Sequence, residues 1–272
     1  MDRGKRDVLG VLVDAVDMGA AVERVLDFAR LRQPAAVTAL AVHGIMEANH
    51  DPRLRVALND FDLVLPDGQP VRWALNLLYG LGLPDKVPGP SLVDELLDRA
   101  ADEGYPVHFH GSTPETLTLI GAELERRFGG RLAVTMAPSR FKRINPAELE
   151  ELVASINDTG AQLCFVGLGC PRQERFVAAT ASGLKMPAIA VGAAFDYLAG
   201  SISRAPHLSQ RAGLEWLYRM LQEPKRLARR YLVTNTEFTV GVGRQWARQR
   251  LLGHRTGLAP DDLVGEWSLV DA

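Results

Sequence analysis

The chain has 272 residues, 47% hydrophobic and 24% charged, with a formal net charge of −2, enough for one α/β domain and an appendage but without global attraction to nucleic acid or anionic lipid. Its two cysteines, Cys164 and Cys170, share the short segment CFVGLGC, which excludes a disulfide framework. Asp14 and Asp17 interrupt the apolar run near the N-terminus, so it fails as a signal peptide, and no stretch reaches the roughly 18 to 20 apolar residues of a spanning helix.

Along the chain, short runs rich in Val, Leu, Ile and Phe alternate with longer stretches of helical period, the pattern of a parallel sheet covered by helices. The predicted strands are DVLGVLV from Asp7, AAVTALAV from Ala35, FDLVL from Phe61, PVHFHG from Pro106, LAVTMA from Leu132, QLCFVGL from Gln162 and PAIAVG from Pro187. Between them GPSLVDELLDRAADEG and PAELEELVASIND read as helices bounded by Gly, Pro and Ser/Thr signals. From Arg204 the alternation stops and a helical text begins. Between Arg204 and Arg255 stand eleven Lys/Arg against three Glu, whereas the rest of the chain holds twenty Lys/Arg against thirty acidic residues. The division is an α/β domain over residues 1–203 and a basic, helical appendage over 204–272.

In open parallel sheets ligands bind beyond the carboxyl ends of the strands. The small or polar residues there are Thr38, Asp67 in LPDGQP, Gly111, Ser112 and Thr113, Gly167 to Glu174 in GLGCPRQE, then Gly192 and Asp196. In HGSTPETL, Thr113 stands at an N-cap and Pro114 at the first helical position, so free backbone N–H groups could hold a phosphate. GCPRQE follows the same logic. Each segment alone reads as ordinary capping; two on one rim suit a diphosphate. There is no GxxxxGK[ST] loop, and GLG at Gly167–Gly169 lacks the third glycine of a dinucleotide fingerprint, which speaks against ATP hydrolysis and NAD binding.

Asp67 is either a carboxylate that takes a proton from an acceptor hydroxyl or simply the first half of an Asp-Gly turn. Glu174 and Asp196 suit hydrogen bonds to a ribose, a sugar or backbone better than metal coordination. His108 and His110 share one strand face, but no third ligand accompanies them, so no metal site is predicted. His43, Trp73 and the cysteines read as packing. In the appendage, cations from Arg211 to Arg230 interleave with Leu214, Trp216, Tyr218 and Leu221. That pattern fits an anionic membrane surface, a pyrophosphate, or a solvated face packed on the main domain. Nucleic acid is disfavoured because no recognition signature accompanies the charge.

The ordered series LPDGQP, GP, HGSTPET, VGLGCPRQE, VGAAFDYLAG, RAP and GLEWLYRMLQEPKRLARRYL resembles the WecG/TagA/CpsF glycosyltransferase family over roughly residues 8 to 238. The resemblance implies a Rossmann-like parallel sheet flanked by helices, with a basic helical C-terminal appendage. It implies inverting transfer of an N-acetylmannosamine-like sugar from a UDP-sugar to a polyprenyl-diphosphate-linked saccharide, with no cofactor or catalytic metal. It also implies a cytoplasmic protein held peripherally at the inner face of the membrane, without a nucleic-acid partner; homo-oligomerisation stays open.

Carried over by motif, Asp67 becomes the base and Pro171, Gln173 and Glu174 the PxQE signature, while Phe195, Asp196, Arg204, Ala205 and Pro206 complete the FD and RAP signatures. The donor side gathers Thr38, Gly111, Ser112, Thr113, Gly167, Gly169, Gln173, Glu174 and Asp196. The acceptor or lipid side gathers Lys86, Arg204, Arg211, Arg219, Arg226, Arg229 and Arg230. Two positions depart from the family pattern. Thr38 is followed by Ala39 and Leu40 instead of Pro-Asn, and the RVxGxD motif is replaced by the stretch from Lys86 to Ser91. A non-catalytic nucleotide- or lipid-binding scaffold of a polysaccharide assembly complex is the rival reading, and a UDP-sugar hydrolase or epimerase a lesser one.

Overall fold

The computed structural model describes residues 1–140, 142–203, 218, 224–252 and 270–271. The first predicted strand is not part of the parallel sheet. It is the centre of an antiparallel hairpin, β1 (Asp2–Val8) and β2 (Val11–Val16). Leu9 and Gly10 turn with φ of 55° and 88°, the pair of positive values a two-residue hairpin loop demands. The Asp7 carboxylate accepts from Gly10 N at 2.7 Å and fixes that turn. Asp14 is buried in β2; its carboxylate accepts from Val64 N at 2.7 Å and from Arg24 at 3.0 Å. The hairpin is thereby tied to the edge of the main sheet.

The remaining elements follow in chain order: α1 (Met18–Arg30), β3 (Ala35–Leu40), α2 (Val42–His50), α3 (Pro52–Asn59), β4 (Leu63–Pro66), α4 (Gln69–Tyr79) and α5 (Gly89–Glu103). Then come β5 (Val107–Gly111), α6 (Pro114–Phe128), β6 (Val134–Ala137), the two-residue β7 (Arg143–Ile144), α7 (Pro146–Asp158), β8 (Leu163–Gly167) and α8 (Arg172–Thr180). The chain continues through β9 (Pro187–Ala190), α9 (Ala194–Leu198), α10 (Pro224–Leu252) and a short β10 (Val270–Asp271) that pairs with β7.

The other six predicted strands form one parallel sheet in the order β4-β3-β9-β8-β5-β6. Alternate strand residues feed two cores. Val37, Phe109, Phe165 and Ile189 pack with α1, α5 and α6 on one face, and Ala36, Leu40, Val166 and Ala188 pack with α2, α3, α7 and α8 on the other. Helices α5 and α6, on connections that step toward β6, cover the first face, and those on connections that step toward β4 cover the second, as uniformly handed crossovers require; α4, ahead of α5, packs Val71, Ala74 and Leu75 into the second cluster. The last helix also belongs to this core. Phe238 and Val242 of α10 are buried in the second cluster, and Gln245 accepts from Leu9 N and donates to the Asp7 carbonyl, both at 3.0 Å. Gly241 permits the approach, since a Cβ there would lie 3.1 Å from the Leu9 side chain.

Candidate active site

The strand order decides where a ligand can enter. After β8 the chain runs through α8 to β9; after the adjacent β5 it runs through α6 to β6, on the other side. Neighbouring strands whose connections diverge leave a crevice at their carboxyl ends, between two helix N-termini. Gly111 and Gly167 are register partners at the mouth of that crevice. A Cβ on Gly111, whose φ is +108°, would fall 2.7 Å from the Gly167 carbonyl oxygen, and a Cβ on Gly167 would fall 2.6 Å from the Phe195 ring. The floor of the crevice is therefore bare backbone.

Its walls follow from local sequence. Ser112, at φ 62°, turns the chain out of β5, and Thr113 caps α6 by accepting from Thr116 N at 3.3 Å, with Pro114 at the first helical position. On the β8 side Gly169, at φ 79°, precedes the cis Cys170–Pro171 bond and the start of α8. No side chain caps α8; Gln173 N donates to the Gly169 carbonyl at 3.0 Å, and the positive end of the helix dipole faces the rim. Sequence reading missed a third wall. Ser139 N donates to the Ser112 carbonyl at 3.0 Å, which fastens the loop after β6 to the α6 turn. That loop carries Arg140 and Lys142, with Arg143 opening β7; Lys142 pairs with Glu148 at 2.7 Å, while the field of Arg140 reaches His110 at the end of β5. The signal was a run of cations directly after a predicted strand.

The other half of the rim is built from side chains. Asp67 leaves β4 with its N–H on the Leu40 carbonyl at 3.2 Å, and Gly68, at φ 88°, begins α4. The Asp-Gly pair is thus a turn that also holds a part-exposed carboxylate at a strand end. The first residue of α5 arrives beside it: a Cβ on Gly89 would lie 3.9 Å from Asp67 Oδ2, 3.4 Å from Ala39 Cβ and 3.3 Å from the Val191 carbonyl. Val87 N donates to the Pro66 carbonyl at 2.9 Å, which brings the buried Lys86 into the same corner.

Between the two halves, beneath the ends of β3, β8 and β9, Thr38, Gln173 and Glu174 are buried against one another. Gln173 donates to Glu174 Oε1 at 2.9 Å and accepts from Gly169 N at 3.2 Å; Thr38 donates to the same Glu174 oxygen at 3.3 Å. Burial pushes the Glu174 carboxyl above its ordinary range. Asp196 stands part-exposed in the first turn of α9, one residue beyond the Phe195 ring that abuts Gly167.

His108 and His110 face the α8 side of the sheet, and His110 stacks on Phe176 with centroids 4.7 Å apart. Burial lowers their imidazoles to about 4 and about 3. Burial also pushes the Cys164 thiol up to about 12, which removes it as a nucleophile. Among the described residues no group of three or more His, Cys, Asp or Glu side chains is placed to hold a metal ion. Arg204, Arg211 and Arg219 lie outside the described residues, and of Arg226, Arg229 and Arg230 only the helical backbone is described. A family model, described as glycosyl transferase WecG/TagA/CpsF family, matches residues 6–252, from the hairpin to the end of α10.

Proposed function

Because the chain belongs to the WecG/TagA/CpsF glycosyltransferase family, we propose that it transfers an N-acetylmannosamine-like sugar from a UDP-sugar to a polyprenyl-diphosphate-linked acceptor of cell-surface or exopolysaccharide assembly. The observation that carries this reading is the division of one rim into an anion-binding crevice and a carboxylate. The donor diphosphate lies at the bare backbone of Gly111 and Gly167, facing the positive ends of the α6 and α8 dipoles, with Arg140 as the nearby cation. The anomeric carbon is joined to the diphosphate through one oxygen, so the donor sugar leaves the crevice across the end of β9, toward the corner where a Cβ on Gly89 would lie 3.3 Å from the Val191 carbonyl and 3.9 Å from Asp67 Oδ2.

There Asp67 takes the proton of the acceptor hydroxyl as its oxygen attacks the anomeric carbon. The bond from that carbon to the diphosphate oxygen breaks on the opposite face, so configuration inverts and UDP departs with the electron pair. Backbone donors and a nearby cation stabilise the charge that develops on the leaving group. No metal is needed in this scheme.

Attachment to a lipid surface is assigned to the basic appendage. No helix among the described residues is long and apolar enough to cross a membrane. The end of α10 combines exposed Leu251 with Trp246, over which Arg250 lies at 5.3 Å, a pairing suited to a headgroup layer. The test is Asp67→Asn in a transfer assay alongside calorimetric titration of UDP with a chelator present. Transfer should vanish while UDP binding stays; retained turnover would remove Asp67 from the role. A wild-type chain that binds UDP but transfers nothing to any lipid-linked acceptor would be a scaffold.

A further inference from the structure

Glu174 is 1% exposed and has no surface to offer a donor. Its two oxygens are unequal: Oε1 accepts from Gln173 and from Thr38, and Oε2 has no hydrogen-bond partner. A buried carboxyl with a spare oxygen is costly where an apolar side chain would pack, so its use must lie in what Oε1 holds. That is one end of an amide. Gln173 is buried too, and an amide has two faces that exchange roles by a half-turn. With its NH2 pinned by Glu174, the oxygen must face Gly169, whose N–H it accepts at 3.2 Å. Turned over, it would set donor against donor and lose both bonds.

The same amide props a second loop. A Cβ on Gly192, at φ +47°, would fall 3.0 Å from Gln173 Oε1 and 3.3 Å from its Nε2, so the turn between β9 and α9 rests on the amide. Thr38 adds β3 to the set: its single O–H donates to Glu174 Oε1 at 3.3 Å, with the Ala190 carbonyl 3.5 Å away as the alternative acceptor. One carboxyl oxygen thus ties β3, the loop from β8 to α8, and the loop from β9 to α9.

We propose that Glu174 is a positioning residue: from beneath the rim it fixes the orientation of the Gln173 amide and, through it, the loops at Gly169 and Gly192 that frame the donor site. This rests on the reading of that rim as a UDP-sugar site. Glu174 acts here as an acceptor, and glutamine reproduces it: the carbonyl of a Gln side chain accepts the same two bonds.

The experiment compares wild-type protein, Glu174→Gln and Glu174→Leu by UDP titration and by hydrogen exchange of the peptides spanning 167–173 and 190–198. Losing the acceptor in Glu174→Leu should speed exchange in both peptides and weaken UDP about tenfold, while Glu174→Gln stays within about threefold of wild type on both readouts. Should Glu174→Leu fail to fold, Glu174→Met carries the same readouts with a side chain closer in shape. Unchanged exchange in both loops with the apolar variant overturns the proposal. So does a Glu174→Gln protein as impaired as the apolar one, because charge and not acceptance would then be the property in use. If wild-type protein does not bind UDP, the donor reading fails, and the exchange comparison alone still decides the role of Glu174.

Discussion

The two halves of the rim are made of different materials. Between β8 and β5 the site is backbone: two abutting glycines, a left-handed Ser112 and the starts of two helices. Between β4 and β9 it is side chain, with Asp67 and Lys86 at one corner; the buried set of Thr38, Gln173 and Glu174 lies beneath, between the two halves. A backbone site binds an anion whatever carries it, because N–H groups and helix dipoles are spent on charge alone. A side-chain site does chemistry on one hydroxyl. The difference teaches that substitutions in the first half should act on binding and folding, and substitutions in the second on turnover.

The sharpest way to break that division is Asp67→Asn. Loss of a general base costs on the order of a thousandfold in kcat, about 4 kcal/mol, and here it should leave UDP affinity and thermal midpoint unchanged. A parallel loss of UDP affinity would put Asp67 in the donor site and merge the two halves. Gly111→Ala is the converse. Its φ of +108° and the 2.7 Å approach to the Gly167 carbonyl leave no room for a Cβ, and the obstacle is backbone that cannot swing aside. About 3 kcal/mol of stability should be lost together with UDP binding, read by thermal unfolding and titration. Retained UDP binding would move the diphosphate elsewhere.

Acid should separate, by sign, what lies under the backbone half from what lies between the halves. His108 and His110 lie under the backbone half, where burial holds them at about 4 and about 3 against 6.5 in the unfolded chain. The unfolded state takes up protons first, so their contribution is whole above pH 6.5 and is lost as pH falls toward those values, by about 2 kcal/mol for each imidazole at pH 5. Replacing His110 by Phe, which keeps the ring stack on Phe176, should remove that ring's share of the fall in thermal midpoint between pH 7 and pH 5. An unaltered slope would mean that His110 is not held neutral. Glu174, buried between the halves, works in the opposite sense: its raised carboxyl keeps a proton the unfolded chain has lost, so stability present below 4.5 declines as pH rises.

Much of this frame was legible in the residues. Apolar runs located the six parallel strands, and Thr113-Pro114 announced the cap of α6, because both depend on local period and local hydrogen bonding. The hairpin was missed because DVLGVLV is apolar on both sides of Leu9-Gly10, and a turn with Leu at its first position lacks the usual Asn or Asp signal. The pairing of Gly111 with Gly167 was beyond reach: it follows from strand order, which crossovers set and periodicity does not. For the same reason the PxQE residues read as rim contacts, although α8 carries Gln173 and Glu174 beneath the rim, onto β3 and the turn after β9. The membership of α10 in the core rests on Phe238, Val242 and Gln245, whose message the many cations around them obscured.

Arg140 is where the division is least complete, because it adds a side-chain cation to a site otherwise made of backbone. Its loop is held to the α6 turn by the bond from Ser139 N to the Ser112 carbonyl, so the exposed Arg140, one residue further on, is carried beside that turn. An exposed charge on such a loop contributes modestly, and salt screens it. Arg140→Ala should therefore weaken UDP by roughly threefold to tenfold, about 1 kcal/mol, and flatten the decline of affinity with ionic strength. Uridine, which lacks the diphosphate, should bind the variant and wild-type protein equally. If the variant loses uridine as well, Arg140 serves the nucleoside, and the backbone half alone must hold the phosphate charge.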